Sequence, residues 1–252
     1  MDAPGNPPSS AVVDLVRAAR RVTVLTGAGM SAESGVPTFR DAQSGLWARF
    51  DAEHLATEDA FRRDPALVFG WYIWRLGLVR GAQPNDGHRA LADWAATTDV
   101  RVITQNVDDL HERAGSEVAA HVHGSLASFR CFDCGTPYFG PLPEASTAGP
   151  VEPPRCPACG GLIRPGVVWF GEPLPAHDFA VAVQACRHAD LLLVVGTSGL
   201  VYPAAGLPDV AATEGIPVVE LNPEPTQLTA SVDHSWRTTA AVGLPALLAA
   251  LA

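Results

Sequence analysis

The stretch RVTVLTGAGMSA, residues 21–32, decides how the rest of the chain is read. Its first half is a short β-branched run, the pattern of a parallel strand buried on both faces. Its second half, GAGMSA, matches the GxGxxA pattern of dinucleotide-binding loops and follows the strand directly. Gly27 permits the turn and Gly29 lets backbone approach a pyrophosphate. The helix that starts there offers unpaired N–H groups to an anion. The same residues also suit a tight strand-to-helix turn that holds no ligand.

Working outward, similar apolar runs recur at VRVIT (100–104), ADLLLVVGT (189–197) and IPVVELN (216–222). Helical spacing marks AVVDLVRAAR (11–20), with Ser9 or Ser10 as N-cap, and GHRALADWAAT, VDDLHERA, HDFAVAVQACRHA, AAGLPDVAATEG and LPALLAALA. Strands alternating with helices predict an α/β fold, a Rossmann-like doubly wound parallel sheet with right-handed crossovers. Two stretches break the rhythm. Residues 41–86 read as a helical insertion, and residues 126–165, rich in Pro and Gly, read as a small module. The expected division is a core of about 11–40, 87–125 and 166–252 carrying both insertions, behind a flexible tail of 1–10.

Four of the five cysteines form that module's signature, C-x2-C-x21-C-x2-C, from Cys131, Cys134, Cys156 and Cys159. In a reducing compartment such paired knuckles favour one Zn2+ over disulfides. Four thiolates saturate a tetrahedral ion and leave no position for water, so the zinc is expected to be structural. Cys186 stands alone in a helical segment, as a core residue. The chain has 252 residues, a net charge of −10 and no lysine; all 17 basic residues are arginine. An acidic chain is a poor non-specific binder of nucleic acid. No apolar run reaches the roughly 18 to 20 residues that span a bilayer. The start lacks a secretory pattern, which makes a cytoplasmic location the expectation; the oligomeric state stays open, with a monomer favoured.

Three further motifs carry chemistry. An ordinary dehydrogenase would follow the glycine loop with a helix and a second strand ending in an acid. Here SGVPTFR (34–40) follows instead, with Pro37 stopping any helix, so hydride transfer is not expected. TQNVDDLH (104–111) ends the strand VRVIT at the edge where open α/β sheets bind ligands. Its side chains suit a ribose or carboxamide, although taken alone such residues are more often a helix cap. HGS (123–125) follows VAAHV and offers a histidine base near neutral pH. Alternation along a strand would put His121 and His123 on one face, so spacing does not choose between them.

GAGMSAESGVPTFR, TQNVDDLHERAG, HGS, the two CxxC pairs and GTS (196–198) stand in the order found in sirtuins, and the resemblance runs from about Arg21 to the C-terminus. It implies NAD between the large and small domains, with an acyl-lysine protein or peptide entering from the other side. By similarity Gly27, Ala28 and Gly29 face the pyrophosphate, with Ser31 and Glu33 in the same loop. Phe39 and Arg40 lie in a mobile cofactor segment. Gln105 contacts the nicotinamide-side ribose, and Asn106, Val107 and Asp108 shape the nicotinamide pocket. Gly196, Thr197 and Ser198 hold phosphate and ribose, Asn222, Pro223 and Glu224 the adenosine-side ribose, and Ala240 aligns near the adenine. The implied chemistry is attack of the acyl oxygen on C1′ as nicotinamide leaves. His123 aligns with the base that takes a proton from the ribose hydroxyls, and the products are free lysine, nicotinamide and 2′-O-acyl-ADP-ribose.

The resemblance also bears on the acyl group. Tyr72 and Arg75 in WYIWR are three apart and share a helix face. Y-x-x-R resembles the sirtuins that remove succinyl, malonyl and glutaryl groups, where the guanidinium offers a two-pronged contact to a carboxylate. Ala56 matches the small residue that widens the acyl channel there. Val168, Trp169 and Phe170 belong to the peptide-binding strand. Many relatives carry histidine where this chain has Gly166, which leaves peptide preference open. Desuccinylation, with deacetylation beside it, is the expected activity. The rival readings are a plain deacetylase, mono-ADP-ribosyl transfer from the same NAD site and a non-catalytic NAD sensor.

Overall fold

The computed structural model describes residues 7–37, 52–143 and 149–251. Four of the six strands of the main sheet end in runs of three or more buried residues, because helices cover both faces. The six are β1 (Arg21–Thr26), β2 (Asp99–Thr104), β3 (Val118–His121), β6 (Leu191–Val195), β7 (Val218–Leu221) and β8 (His234–Trp236). All pair in parallel, in the order β3-β2-β1-β6-β7-β8. Counted along the chain this is 3-2-1-4-5-6, the doubly wound order whose direction reverses between β1 and β6. Sequence pattern alone left out β8, which is three residues long and has a single buried side chain.

Alternation in the strands builds two cores. Leu191, Leu193 and Val195 join Val22 and Val24 against α1 (Ser10–Ala18), α6 (Asp86–Ala95) and α10 (Ala240–Ala249). Leu192 and Val194 join Leu25 and Ile103 against α8 (Ala176–His188) and α9 (Leu207–Thr213). Ser9 caps α1, its hydroxyl accepting from the Val12 N–H at 3.3 Å.

A third core joins the two stretches that interrupt the sheet pattern. Asp64 and Pro65 split the helical run into α4 (Glu58–Arg63) and α5 (Pro65–Gly81). Pro65 supplies no N–H, so it ends the first helix and suits the first turn of the second. Val68, Phe69, Trp71 and Tyr72 of α5 pack against Phe129, Ile163 and Trp169. Those residues come from or follow β4 (Gly124–Cys131) and β5 (Ile163–Val167), an antiparallel pair. The short helices α2 (Gly29–Ala32) and α3 (Ala52–Leu55) lie between β1 and α4, and α7 (Leu110–Ala114) lies between β2 and β3. No helix among the described residues is long and apolar enough to cross a membrane.

Candidate active site

The reversal between β1 and β6 opens a crevice at the carboxyl ends of the strands, as the fold requires. Gly27 donates its N–H to the Val195 carbonyl at 2.9 Å, and Gly29 donates to the Gly196 carbonyl at 2.8 Å. A Cβ on Gly29 would lie 2.8 Å from the Gly196 Cα, and one on Gly27 2.7 Å from the Thr197 Cβ. Gly196 itself has φ +62. The glycines are therefore demanded first by the close approach of two strand ends to each other, whether or not a phosphate lies against them.

The ends of β1, β2, β6 and β7 are tied by side chains. Gln105 Nε2 donates to Thr197 Oγ1 at 3.0 Å, and Asn222 Nδ2 donates to the Thr197 carbonyl at 3.0 Å. Asn106 Nδ2 donates to Ser31 Oγ at 3.1 Å. Burial holds the Asp108 carboxyl above its ordinary pKa, against the opposing hydrogen bonds of the Leu110 N–H and Ser31.

A cavity of about 700 Å³ occupies this edge. Its sheet side is lined by Gly27, Ala28, Gly29 and Ser31, by Gln105, Asn106, Val107 and Asp108, and by Gly196, Thr197, Ser198, Asn222 and Glu224. Ala56, Tyr72 and Arg75 line it from the helical side, with Val168, Trp169 and Phe170 opposite and His123 between. Residues as far apart in sequence as Gly27 and Glu224 thus meet in one space. Glu33, Pro223 and Ala240 do not line it. The Glu33 carboxylate accepts from the Ala241 N–H at 3.1 Å, at the start of α10, and Ala240 packs against Gly87. Phe39 and Arg40 lie outside the described residues. Thr226 and Gln227 also line the cavity, unforeseen. Their only signal is that they continue the loop after β7.

The two histidines that spacing left equivalent are separated by the structure. β3 ends at His121, and His123 follows in a turn, so strand alternation does not reach it. His121 Nε2 is 2.6 Å from Glu112 Oε1. Burial disfavours its charge, but the bond and charge of Glu112 prevail and hold its pKa above the ordinary value. His123 Nδ1 lies 3.1 Å from the Gln105 carbonyl, which only accepts, so Nδ1 carries the proton. In the neutral ring Nε2 is then bare, and this buried atom has no hydrogen-bond partner among the described residues. Burial, partly opposed by the Gln105 bond, lowers the His123 pKa and favours that neutral form.

Tyr72 is buried, and its oxygen accepts from Trp169 Nε1 at 3.0 Å. Burial raises its pKa and lowers that of Arg75, whose charge is supported by Tyr72 and Asp108. Arg75 also lies 5.1 Å from the Trp71 ring centroid. At Gly166, paired with Ser125, a Cβ would lie 2.0 Å from Ser128 Oγ. A bulge in β4 fills the space that a side chain there would need.

Away from the cavity, the Sγ atoms of Cys131, Cys134, Cys156 and Cys159 all lie within 4.8 Å of one another. The Cys131–Cys159, Cys134–Cys156 and Cys134–Cys159 separations are 3.5, 3.8 and 3.4 Å. A tetrahedron with Zn–S bonds of 2.3 Å has edges of roughly 3.8 Å, so the four thiols fit zinc. Both knuckles end in a left-handed glycine, Gly135 at φ 72 and Gly160 at φ 78. Backbone N–H groups of Cys134 and Gly161 point at the sulfurs of Cys131 and Cys159.

Comparison with known proteins agrees with this geometry. The model of the Sir2 family matches residues 27–203. A Mycobacterium tuberculosis protein named NAD-dependent protein deacylase is 58% identical over 229 residues, covering 90% of this chain and 96% of its own. A solved Sir2 homologue–NAD complex is 41% identical with a TM-score of 0.88, covering 100% of this chain and 98% of that one. A mutant Sir2 homologue in complex with 2′-O-acetyl-ADP-ribose has the same identity and TM-score, covering 97% and 96%. With most of its length matched by the family model, this chain belongs to the Sir2 family, the sirtuins.

Proposed function

We propose that the protein is an NAD-dependent protein-lysine deacylase that removes succinyl and malonyl groups in preference to acetyl. The observation that carries the reading is the convergence of His123, Tyr72 and Arg75 on one cavity. The bare, buried Nε2 of His123 is a base without a partner among the described residues, as proton removal from a substrate hydroxyl requires.

NAD fits the donor set at the sheet edge, where backbone of Gly27, Ala28 and Gly29, the amides of Gln105, Asn106 and Asn222 and the hydroxyls of Thr197 and Ser198 would hold it. Bound there, it would supply an electrophilic anomeric carbon and a nicotinamide leaving group. Asn106 and Asp108 face the nicotinamide end, and Ser31 fixes their side chains. His123 Nε2 takes a proton from a ribose hydroxyl. Val168, Trp169 and Phe170 position the acyl-lysine peptide, and Ala56 leaves width for a long acyl chain. Tyr72 and Arg75 receive the chain's terminal carboxylate. The four cysteines would hold a zinc and, supplying all four of its ligands, would make it serve the fold and not the reaction.

The test compares NAD-dependent removal of succinyl and acetyl groups from one lysine peptide, following O-acyl-ADP-ribose by mass. The expected result is faster desuccinylation, with Arg75→Met lowering it about 10- to 100-fold more than deacetylation, the range for losing a charge-assisted contact. Equal losses would make Arg75 structural. NAD consumption without O-acyl-ADP-ribose would overturn the deacylase reading in favour of ADP-ribosyl transfer.

A further inference from the structure

We infer that Trp169 is a positioning residue that aims the Tyr72 hydroxyl proton into the acyl end of the cavity, so that the phenol can only greet an acyl acceptor as a donor. The inference rests on the carboxylate-reading role given to Tyr72 and Arg75 above. An indole N–H only donates, and a phenol oxygen both donates and accepts. Trp169 Nε1 is 3.0 Å from the Tyr72 oxygen, so in this contact the phenol is the acceptor. Among the described residues this is the one hydrogen bond of that hydroxyl, and its own proton is left for a further acceptor. Tyr72 and Trp169 both line the cavity, along with Arg75. An incoming carboxylate oxygen would meet that proton, whereas an acetyl group ends in a methyl and has nothing to accept it.

The indole is itself held in place. The Arg164 guanidinium carbon lies 3.3 Å from the Trp169 ring centroid, and Arg164 is almost wholly buried. Arg164 pairs with Glu172 through both terminal guanidinium nitrogens, and NH2 also donates to the Val167 carbonyl at 2.9 Å. Glu172 in turn accepts from the Trp169 backbone N–H at 2.9 Å. Phe61 supports the indole from another side, with centroids 5.3 Å apart. A cation stacked on an indole draws electron density from the ring and makes its N–H a better donor. The RPGVVWFGE segment therefore supplies the indole, the cation and the carboxylate from residues 164–172. None of the three needs to bond the acyl carboxylate itself to affect how it is received.

The experiment replaces Trp169 by Phe and, separately, by β-(3-benzothienyl)alanine, which keeps the fused ring and puts sulfur where the N–H was. The readout is the ratio of kcat/KM for succinyl- over acetyl-lysine in one peptide. The expected result is a fall in that ratio of about fivefold to tenfold, the scale of one ordinary hydrogen bond, because the phenol keeps its proton and loses only the contact that aims it. With Tyr72→Phe already made, either replacement should then leave the ratio unchanged, because both act through one hydroxyl. The benzothienyl variant decides the matter if Trp169→Phe fails to fold. A retained ratio in a succinyl-preferring enzyme, or a loss that multiplies with that of Tyr72→Phe, overturns this inference alone. A wild-type enzyme that favours acetyl-lysine overturns the acidic-acyl reading and this inference with it.

Discussion

Replacing Arg237 by Met tests how the loop beneath the cofactor edge is held. Glu220 lies in β7 and is completely buried, with Arg237 NH2 3.0 Å from its Oε2. Thr229 Oγ1 donates to the same oxygen at 2.7 Å, and Thr226 Oγ1 donates to the other. Arg237 NH1 also donates to the carbonyls of Glu224 at 2.9 Å and Asn222 at 3.3 Å. One guanidinium thus neutralises a buried carboxylate and ties down the loop that carries Asn222 and Glu224 to the cavity wall. Methionine keeps the aliphatic stem and leaves the carboxylate with two hydroxyls and no counter-charge. Breaking one side of a buried pair destabilises by about 3–5 kcal/mol. For a chain of this length each kcal/mol lowers Tm by roughly 2–4 °C, so a fall of about 6–20 °C is expected in calorimetry. Glu220→Gln combined with Arg237→Met removes the orphan charge and should recover a large part of that fall. The KM for NAD should rise in the single variant while the KM for peptide moves less. A Tm drop below about 3 °C, or a double variant no better than Arg237→Met, would refute the reasoning.

Two further outcomes follow from the site. His123→Ala should lower kcat about 10²–10⁴-fold, the usual contribution of a general base. In the wild type the base must be neutral, and burial holds its pKa below the ordinary value near 6.5, so activity should persist above that pKa and fall as pH drops through it. A kcat/KM profile with its acid limb centred above about pH 6.5 would contradict this environment for His123. Native mass spectrometry should find one zinc ion per chain. Stripping it with a strong chelator, or making Cys131→Ser, should lower Tm by roughly 10 °C or more, since metal binding is coupled to folding of the module. A metal-free protein with unchanged thermal unfolding would refute the zinc assignment.

Much of the fold was legible because its strands are buried on both faces. RVTVLT, VRVIT, ADLLLVVGT and IPVVELN are dominated by apolar or β-branched residues, and each became a strand near the expected bounds. The CxxC pairs were legible for a different reason: a metal demands its donors at a spacing that a tight turn imposes, and the turn glycines follow in sequence. β8 was not legible, since His234 and Ser235 are not buried and the strand is short. Within the cavity, GAGMSA, TQNVDD and GTS pointed to the sheet edge, but their segments did not say which side chain would do what there. Glu33, in the loop motif, turned out to cap α10, 208 residues away.

The sequence by itself determined the α/β class, the order of the elements, the four thiols and the family, because these depend on periodicity, turn chemistry and spacing within a few residues. Only the tertiary structure decided that His123 and not His121 carries the bare nitrogen. Glu112 reaches one ring and the Gln105 carbonyl reaches the other, and neither is a neighbour in sequence. It alone placed the indole of Trp169 on the phenol of Tyr72, 97 positions away. A hydrogen bond between distant segments is set by how helices and strands pack. Packing sums many weak contacts over the whole core, and no local stretch of sequence contains that sum.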